Sequence, residues 1–521
     1  MMFLVVAIAF RQYALGHVAH IGAPAGGDGR MKPSTMIGVA VIGLIGAAAV
    51  LTDTWLWLLM GVSGLLFVIF AIAHPRPALL VWLLAAPLAD AYATVSIPGA
   101  PDIMFGRVTV AVVGVALLLR VILKGRPLSA FGAIELAMAI LLTVMFVDLV
   151  RSDNRTSDFM QDFDERATPI LVFLAARNLF TRRLDLRNVA YALAVVGCYL
   201  ALHGGYQYWV YNGAPAAGDS LTLHEGGQRT NESHLEEGRA VGPFTSAVEY
   251  GGVTAMCLLG VLYLTLSRTR GLRRILLVAT VPLIAAAVIM SSTRSAWLGG
   301  LVAALTLLAL DRRRRLLLPL AVAAAAAVLA VSTFVIPSDS ALEARAESLE
   351  PIRARLLMYD VGARIAVRRP FMGYGRGAPS RVAARKELAE RGDPDADLAA
   401  GQFHNVFLMI LVEWGIVALL AYVAILVLIV KAAFLLRRRL LDERDPAHQF
   451  AGLVLAMTIV YVTQGLLVDI PPFLYLNGAF FFFAGVMFAQ LDATAPILIH
   501  DSAQSYNKTI TLAPVSGPVE A

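Results

Sequence analysis

Charged residues are scarce in this chain: Asp, Glu, Lys and Arg make up 15% of its 521 residues. Soluble domains carry about 25%, so the composition excludes an ordinary soluble globular protein. Cysteine is scarcer still, since Cys198 and Cys257 are the two in the sequence. Both fall in apolar stretches and not in polar loops. The sequence therefore predicts neither a disulfide framework nor a zinc site built from Cys and His.

What the chain has in abundance is apolar sequence. Hydrophobic residues make up 58% of it, and the mean hydropathy is +0.72. Apolar runs of about 17–25 residues, each long enough to cross a bilayer, recur throughout and predict an all-α, polytopic transmembrane bundle of about 12–14 helices. The runs lie near 36–52, 55–73, 78–94, 104–123, 130–150, 167–181, 188–211, 244–266, 274–290, 295–310, 316–336, 404–430, 450–469 and 472–490.

Arg and Lys gather in five short loops between these runs. If fourteen helices are counted, all five loops fall on one side, and short basic loops stay in the cytoplasm. Both termini are then cytoplasmic, whereas 151–166, 212–243 and 337–403 face the exported side. The net charge of +6 needs no nucleic-acid partner, because these loops account for much of it. The clusters are Arg120, Lys124 and Arg126; Arg177, Arg182, Arg183 and Arg187; Arg268, Arg270, Arg273 and Arg274; Arg312 to Arg315; and Lys431 with Arg437 to Arg439.

The hydropathy pattern divides the chain into five parts. An N-terminal segment is either interfacial or not native, because Met31 is an alternative start. Two sets of transmembrane helices flank one long exported, periplasmic loop, and a polar, cytoplasmic tail is predicted to be disordered. In chain order the parts are 1–35 for the N-terminal segment, 36–336 for the first helices, 337–403 for the loop, 404–490 for the C-terminal helices and 491–521 for the tail.

The long loop carries a predicted amphipathic helix. Apolar residues recur at helical spacing between arginines, which is typical of a helix that lies on the outer leaflet. The glycines of the run Pro370 to Gly377 then allow the backbone to approach a ligand closely. The apolar positions are Ile352, Leu356, Val361 and Ile365, and the arginines include Arg353 and Arg355.

Three polar residues of the exported side are candidates for chemistry. His404 opens the helix after the long loop, and a neutral imidazole there can accept a proton, although a lone histidine is more often structural. Arg294 lies in a very short connection between apolar helices, where an arginine is costly. This position favours an anion partner over a structural role. Arg239 precedes a Gly-Pro turn. Binding of an anionic ligand and snorkelling to lipid headgroups are equally good interpretations of this arginine.

Four motifs follow one another along the chain in the order that is typical of the O-antigen ligase and polysaccharide polymerase superfamily, and in this the chain resembles that superfamily. The resemblance covers about 239–420, and the histidine element is its most specific part. One departure is visible, because Leu356-Leu357-Met358 and then Tyr359 stand where the family commonly has tryptophan after the loop arginine. Arg353 and Arg355 therefore remain alternatives. The motifs are Arg239 before Gly-Pro-Phe, Ser-Thr-Arg-Ser-Ala-Trp around Arg294, Pro370 to Gly375, and His404-Asn405-x-x-Leu…Glu413-x-Gly415.

The resemblance implies a reaction and a set of roles. Such enzymes take a glycan linked by pyrophosphate to undecaprenol, in the outer leaflet of the bacterial inner membrane. They transfer it with inversion to a sugar hydroxyl of a lipid A core or of a growing polysaccharide. His404 would be the general base and Arg294 the second catalytic residue, with no metal or cofactor. Pyrophosphate binding would fall to Arg239, Arg294, Arg353 and Arg355, and support to Asn405, Glu413, Gly373 and Gly375.

Two alternatives stay open on the sequence. The exported acidic pairs Asp162/Asp164 and Asp393/Asp395 are candidates for holding a divalent cation, but we interpret them as solvated loop charges. A multi-helix transporter of polysaccharide or small molecules is the competing class. Transporters usually show repeated halves and ionisable residues at the bilayer midplane, and neither pattern is evident here. Ligase, polymerase and protein glycosylation are not separated.

Overall fold

The computed structural model describes residues 55–92, 104–125, 128–152, 159, 163–213, 239–267, 271–311, 350–391, 403–468 and 473–510. The chain divides into two compact units, residues 1–74 and 75–521. In the first unit the described part is helix α1, Trp55–Ala73. The predicted N-terminal segment 1–35 and the predicted helices at 36–52 and 316–336 lie outside the described residues.

The second unit is helical throughout its described part, without a strand, and the predicted all-α class is confirmed. Each apolar run predicted within these residues forms a helix. The helices are α2 Pro75–Tyr92, α3 Phe105–Lys124, α4 Ala133–Arg151, α5 Thr168–Leu179, α6 Arg183–Gly213, α7 Ala247–Leu266, α8 Leu272–Met290, α9 Arg294–Ala309, α10 Glu350–Arg368, α11 Ala378–Arg391, α12 Val406–Arg439, α13 Pro446–Leu467 and α14 Leu474–Ile510.

Eight helices in the described ranges are long and apolar enough to cross a membrane, which confirms a polytopic membrane protein. They are α3, α4, α6, α7, α8, α12, α13 and α14. The predicted segment 167–181 behaves differently. It forms the 12-residue α5 after a π-helical turn, Phe163–Ala167. Such a helix is about 18 Å long, too short to cross a hydrocarbon core of about 30 Å alone.

Several predicted basic loops meet at one end of the bundle, here called the basic end. Arg177 near the end of α5 forms ion pairs with Glu135 of α4 and Asp492 of α14. Arg437 near the end of α12 donates to the carbonyl oxygens of Leu310 and His448, at 3.2 and 3.1 Å. These contacts place the last turn of α5 beside the first turn of α4 and beside α14, and the last turns of α9 and α12 beside the first turn of α13. Arg183 at the start of α6 links the two groups, because it contacts Gln490 of α14 and Asp445, the residue before α13.

The C-terminal boundary differs from the sequence prediction. The sequence predicts a disordered tail from residue 491, whereas α14 continues as far as Ile510. The membrane-crossing part of that helix is Leu474–Thr494. Residues 511–521 lie outside the described part of the chain. The end of an apolar run marks where a membrane span ends. The helix itself continues into polar sequence as long as its backbone hydrogen bonds continue.

The predicted amphipathic helix exists as α10, and the second half of its apolar stripe is covered by protein. Val361 and Ile365 are buried in a small core with Ala384 and Leu388 of α11 and with Phe403. Leu356, nearer the start of the helix, is 60% exposed. Val361 and Ile365 therefore hold the long loop together, and the position of α10 on the leaflet stays a prediction. A period of 3.6 residues identifies the apolar face of a helix, but it does not identify what covers that face.

Candidate functional site

Helix α12 is broken near its start. Gly415 has φ 80° and ψ −174°, which separates a short half-helix, residues 406–414, from a long one, residues 416–439. A break inside an apolar helix frees backbone groups that must find other partners. The segment between α10 and α11, Pro370 to Gly377, supplies them and is here called the glycine segment.

The glycine segment pairs with the break through its main chain. The amides of Tyr374 and Gly375 donate to the carbonyl oxygens of Val412 and Glu413, both at 2.9 Å, and the amide of Ile416 donates to Pro370 at 2.7 Å. These bonds satisfy the groups that the break exposes. The long loop and α12 are therefore joined by backbone hydrogen bonds and not by side-chain contacts alone.

Glycine is required on both sides of this joint. A Cβ on Gly373, which has φ 62°, would collide with the main chain of Glu413. A Cβ on Gly415 would collide with the carbonyl of Phe371. Gly375 has φ 87° and lies against Asp148. The close approach expected of these glycines is thus made to the protein's own backbone.

Glu413 also belongs to the joint. Its buried Oε1 accepts the amide of Gly377 at 3.0 Å and the hydroxyl of Ser380 at 3.3 Å, near the start of α11. The carboxylate therefore holds the first turn of α11 against the half-helix of α12. This geometry fits the supporting role predicted for Glu413.

Sequence reasoning missed a polar cluster that fixes the joint to the bundle. Oδ2 of Asp148 on α4 accepts the indole N–H of Trp414 at 3.0 Å and the amide of Arg376 at 3.2 Å. The Arg376 side chain forms an ion pair with Glu165 at 2.5 Å, and the Arg166 guanidinium lies 5.2 Å from the centre of the Trp414 ring. The available signal was an Asp toward the end of an otherwise apolar helix, which needs a partner.

His404 is held by its neighbours in an uncommon backbone conformation, with φ 50°. The side chain of Asn405 accepts the amides of Phe407 and Leu408, at 3.0 and 3.1 Å, so Asn405 is the N-cap of α12. The Tyr359 hydroxyl on α10 lies 3.2 Å from the carbonyl oxygen of His404. His404 is thus fixed between a helix cap and α10.

Of the two alternative loop arginines, the structure places Arg355 near His404. Burial lowers the pKa of His404 below its usual value, and the positive charge of Arg355 lowers that pKa further. Arg353 is exposed on the surface of α10. The imidazole is therefore held neutral at near-neutral pH, which is the state in which it accepts a proton.

Arg239 and Arg294 lie on two adjoining turns. Arg239 is 6% exposed; its Nε donates to the carbonyl of Ser291 at 3.4 Å and its Nη2 to Oγ1 of Thr293 at 3.1 Å. Arg294 follows as the first residue of α9 and is partly exposed. The Arg239 guanidinium is therefore held against the turn, Ser291 to Thr293, that leads into Arg294.

The same turn contains a second uncommon backbone conformation. Ser292 has φ 48°, and within the described residues it and His404 are the non-glycine positions with positive φ. Such conformations cost about 1–3 kcal/mol each and cluster at functional sites. Both predicted motifs therefore contain one such conformation, Ser292 in the turn before Arg294 and His404 itself.

Packing of α9 on α13 shows where Arg294 lies. A Cβ on Gly299 would lie 3.2 Å from Cβ of Thr463 and 3.4 Å from Cα of Val460. Arg294 lies five residues earlier, about 7.5 Å along the helix axis. Because the two helices are antiparallel, the same distance along α13 reaches its last turn, at the level of Leu466.

His404 is tied to the same turn of α13. The Tyr359 hydroxyl that contacts the carbonyl of His404 also donates to the carbonyl of Leu466, at 2.9 Å. The structure therefore brings two separately predicted groups to one end of the bundle, here called the site end. The groups are Arg239 with Arg294, and Arg355 with His404.

The described residues add no support for the alternative that the acidic pairs hold a divalent cation. No group of three or more His, Cys, Asp or Glu that could hold a metal ion occurs in the part of the chain that the structure describes. Asp162, Asp393 and Asp395 lie outside that part, and the side chain of Asp164 is not described. The acidic pairs stay a prediction about solvated loops.

Comparison with known proteins agrees with the motifs. Residues 279–423 match the family model described as O-antigen ligase. The match begins in α8, takes in Arg294, α10, the glycine segment and His404, and ends in α12; Arg239 lies before it. The predicted resemblance to the O-antigen ligase and polymerase superfamily is confirmed. The chain has no match among curated proteins.

Proposed function

We propose that this membrane protein transfers a glycan from an undecaprenyl-pyrophosphate-linked donor to a sugar hydroxyl, with inversion at the anomeric carbon. The observation that carries the proposal is the meeting of Arg239 and Arg294 with Arg355 and His404 at the site end. A leaving pyrophosphate develops negative charge. A guanidinium group stabilises such charge by donating two parallel hydrogen bonds to two phosphate oxygens. The family match supports the reaction class.

The residues then take separate roles. Arg294, partly exposed at the start of α9, and Arg239 behind it stabilise the pyrophosphate, and Arg355 adds charge from α10. His404 accepts the proton of the acceptor hydroxyl. Its lowered pKa keeps it neutral for this step. Arg353, exposed on α10, becomes the weaker of the two alternatives. These roles use no metal and no cofactor.

The arrangement of charges supports an orientation in the membrane. Arg177 and Arg437 of the predicted cytoplasmic loops lie at the basic end, and the candidate site lies at the other. Under the positive-inside rule the basic end is cytoplasmic. We therefore place the protein in the bacterial inner membrane, with the site facing the periplasm and both termini in the cytoplasm.

A noncatalytic transporter is the competing proposal. It would use ionisable groups near the membrane midplane, whereas the candidate groups here lie at one end of α9, α12 and α13. The described carboxylates Glu249 and Glu413 both serve the fold: Glu249 accepts the amides of Tyr475 and Leu476 at the start of α14. We therefore favour the enzyme.

The test is complementation of a deletion strain, with the surface glycan examined on gels at matched membrane levels. We expect the wild-type protein to restore long chains and His404→Ala to fail. Arg294→Ala should lower the rate by about 10²–10³, as loss of a transition-state donor does. Arg273→Ala is the matched control, because Arg273 is exposed in the first turn of α8, away from the site end.

The pattern of products separates the remaining possibilities. Single repeat units on the lipid core indicate a lost polymerase, whereas polymer that is not attached to the core indicates a lost ligase. An unchanged lipopolysaccharide with underglycosylated protein indicates protein glycosylation. Full restoration by His404→Ala would overturn the catalytic histidine and favour the transporter. Equal losses for Arg294→Ala and Arg273→Ala would overturn the placement of the site.

A further inference from the structure

Three large apolar side chains project outward where α10 meets the glycine segment. Val367 is 78% exposed, Phe371 is 69% exposed and Met372 is 49% exposed. This trio is here called the apolar wedge. The wedge begins after Ile365; Val361 and Ile365 of the predicted stripe are buried, whereas Leu356, nearer the start of α10, is 60% exposed. Large apolar side chains grouped at a surface mark a site of interaction with a partner or a membrane.

The position of the wedge points to the bilayer. Pro370, which precedes Phe371 of the wedge, accepts the amide of Ile416 through its carbonyl oxygen at 2.7 Å. Ile416 is the first residue of the long half of α12, which crosses the membrane. Val417 and Leu420 follow it as exposed residues on the outer surface of that helix. The wedge therefore lies level with the break in α12, where the long half of this candidate membrane span begins.

The neighbouring charge fits the same surface. The Arg369 guanidinium lies 4.8 Å from the centre of the Tyr374 ring, and it has no carboxylate partner among the described residues. Its neighbours Arg364 and Arg368, in contrast, form ion pairs with Asp360 and Glu387. An arginine next to exposed apolar side chains at a membrane surface binds lipid phosphate while those side chains enter the acyl region.

We propose that the apolar wedge inserts into the bilayer leaflet at the site end and that Arg369 binds phospholipid headgroups there. The lipid contact is thus made at the C-terminal end of α10, beyond the buried residues Val361 and Ile365. It fixes the depth of α10, which carries Arg355 and Tyr359. This proposal does not depend on the reaction assigned to the protein.

The test is spin labelling of the full chain in lipid nanodiscs. Single cysteines replace Phe371 or Val367 in a Cys198→Ala, Cys257→Ala background. Lys386→Cys is the control, because its exposed side chain (76%) lies on α11 of the same loop. Collision of the nitroxide with oxygen, which concentrates in lipid, is compared with collision with a water-soluble nickel complex. Met372→Cys replaces any wedge variant that does not purify as a folded protein.

We expect oxygen collisions to dominate at positions 367 and 371 and nickel collisions to dominate at 386. The wedge labels should also lie deeper in nanodiscs with anionic lipid than in zwitterionic ones, and Arg369→Gln should remove that difference. Nickel-dominated collisions at both wedge positions would overturn the insertion. A depth that is the same in both lipids would overturn the assignment of Arg369.

Discussion

Asp148 and Trp414 form a 3.0 Å hydrogen bond between a carboxylate of α4 and the indole N–H of the α12 half-helix. The same carboxylate oxygen accepts the amide of Arg376 in the glycine segment. One side chain therefore binds both partners of the joint. Because α10 carries Arg355 and His404 immediately precedes Asn405, the N-cap of the half-helix, Asp148 helps to set the distance between these candidate groups.

Replacing Asp148 by Ala should destabilise the protein by about 2–3 kcal/mol, because two donors lose their acceptor in a partly buried place. The matched control is Thr143→Ala on the same helix, whose exposed hydroxyl bonds its own helix at the carbonyl of Ala139. Thermal unfolding of the purified proteins measures both. Equal midpoints for the two variants would show that the joint does not depend on Asp148.

Gly415→Ala should prevent correct assembly of the long loop on the bundle. Its φ of 80° costs alanine about 1–3 kcal/mol, and the added Cβ meets the Phe371 carbonyl. Gly114→Ala is the control, because no atom lies within 4 Å of its added Cβ. Yield of monodisperse protein and susceptibility of the loop to protease report the difference. A Gly415→Ala protein as protease-resistant as the control would contradict the backbone joint.

The pH dependence of the proposed reaction should follow His404. Its pKa is lowered first by burial and then by Arg355, so the neutral base is lost only at a pH below the usual 6.5. In Arg355→Gln the second cause disappears, and the acid limb of kcat/KM should move to higher pH. Arg353→Gln is the control, since Arg353 is exposed on the same helix. An acid limb that moves equally in both variants would contradict the pairing of Arg355 with His404.

The same lowered pKa affects stability, with a defined sign. An unfolded imidazole takes up its proton near 6.5, whereas the folded one does so only at lower pH. The unfolded state therefore binds more protons in that window, and stability contributed by neutral His404 is lost as the pH falls below about 6.5. His404→Gln should remove that part of the pH dependence, as measured by thermal unfolding.

Tyr359→Phe should cost about 1 kcal/mol of stability, the value of one ordinary hydrogen bond. Activity should fall by more than this loss implies, because the hydroxyl lies against the carbonyls of both His404 and Leu466. Tyr206→Phe is the control, on an exposed ring of α6. The measurement compares kcat with KM; an effect on KM alone would contradict a role in placing His404.

The joint at Gly415 shows how far sequence reasoning reached. The sequence reveals the motifs around Gly373 and Glu413, and it predicts that the glycines of Pro370 to Gly377 permit close approach to a ligand. A glycine tolerates positive φ and close approach, yet nothing local says which backbone approaches. Only the fold shows that the two motifs are the two halves of one joint. Asp148 and Arg376 were missed for the same reason, since 228 residues separate them in the chain.

The sequence by itself determined the membrane bundle and the positions of most helices, and it predicts the long polar loop and the candidate site residues. These properties follow from local causes: an apolar run of span length, a helix cap at Asn405, and clustered arginines. The tertiary structure decided that Val361 and Ile365 of α10 are buried, that Arg355 and not Arg353 lies by His404, and that Arg294 shares an end of the bundle with them. Those outcomes depend on long-range packing, which helical periodicity leaves open.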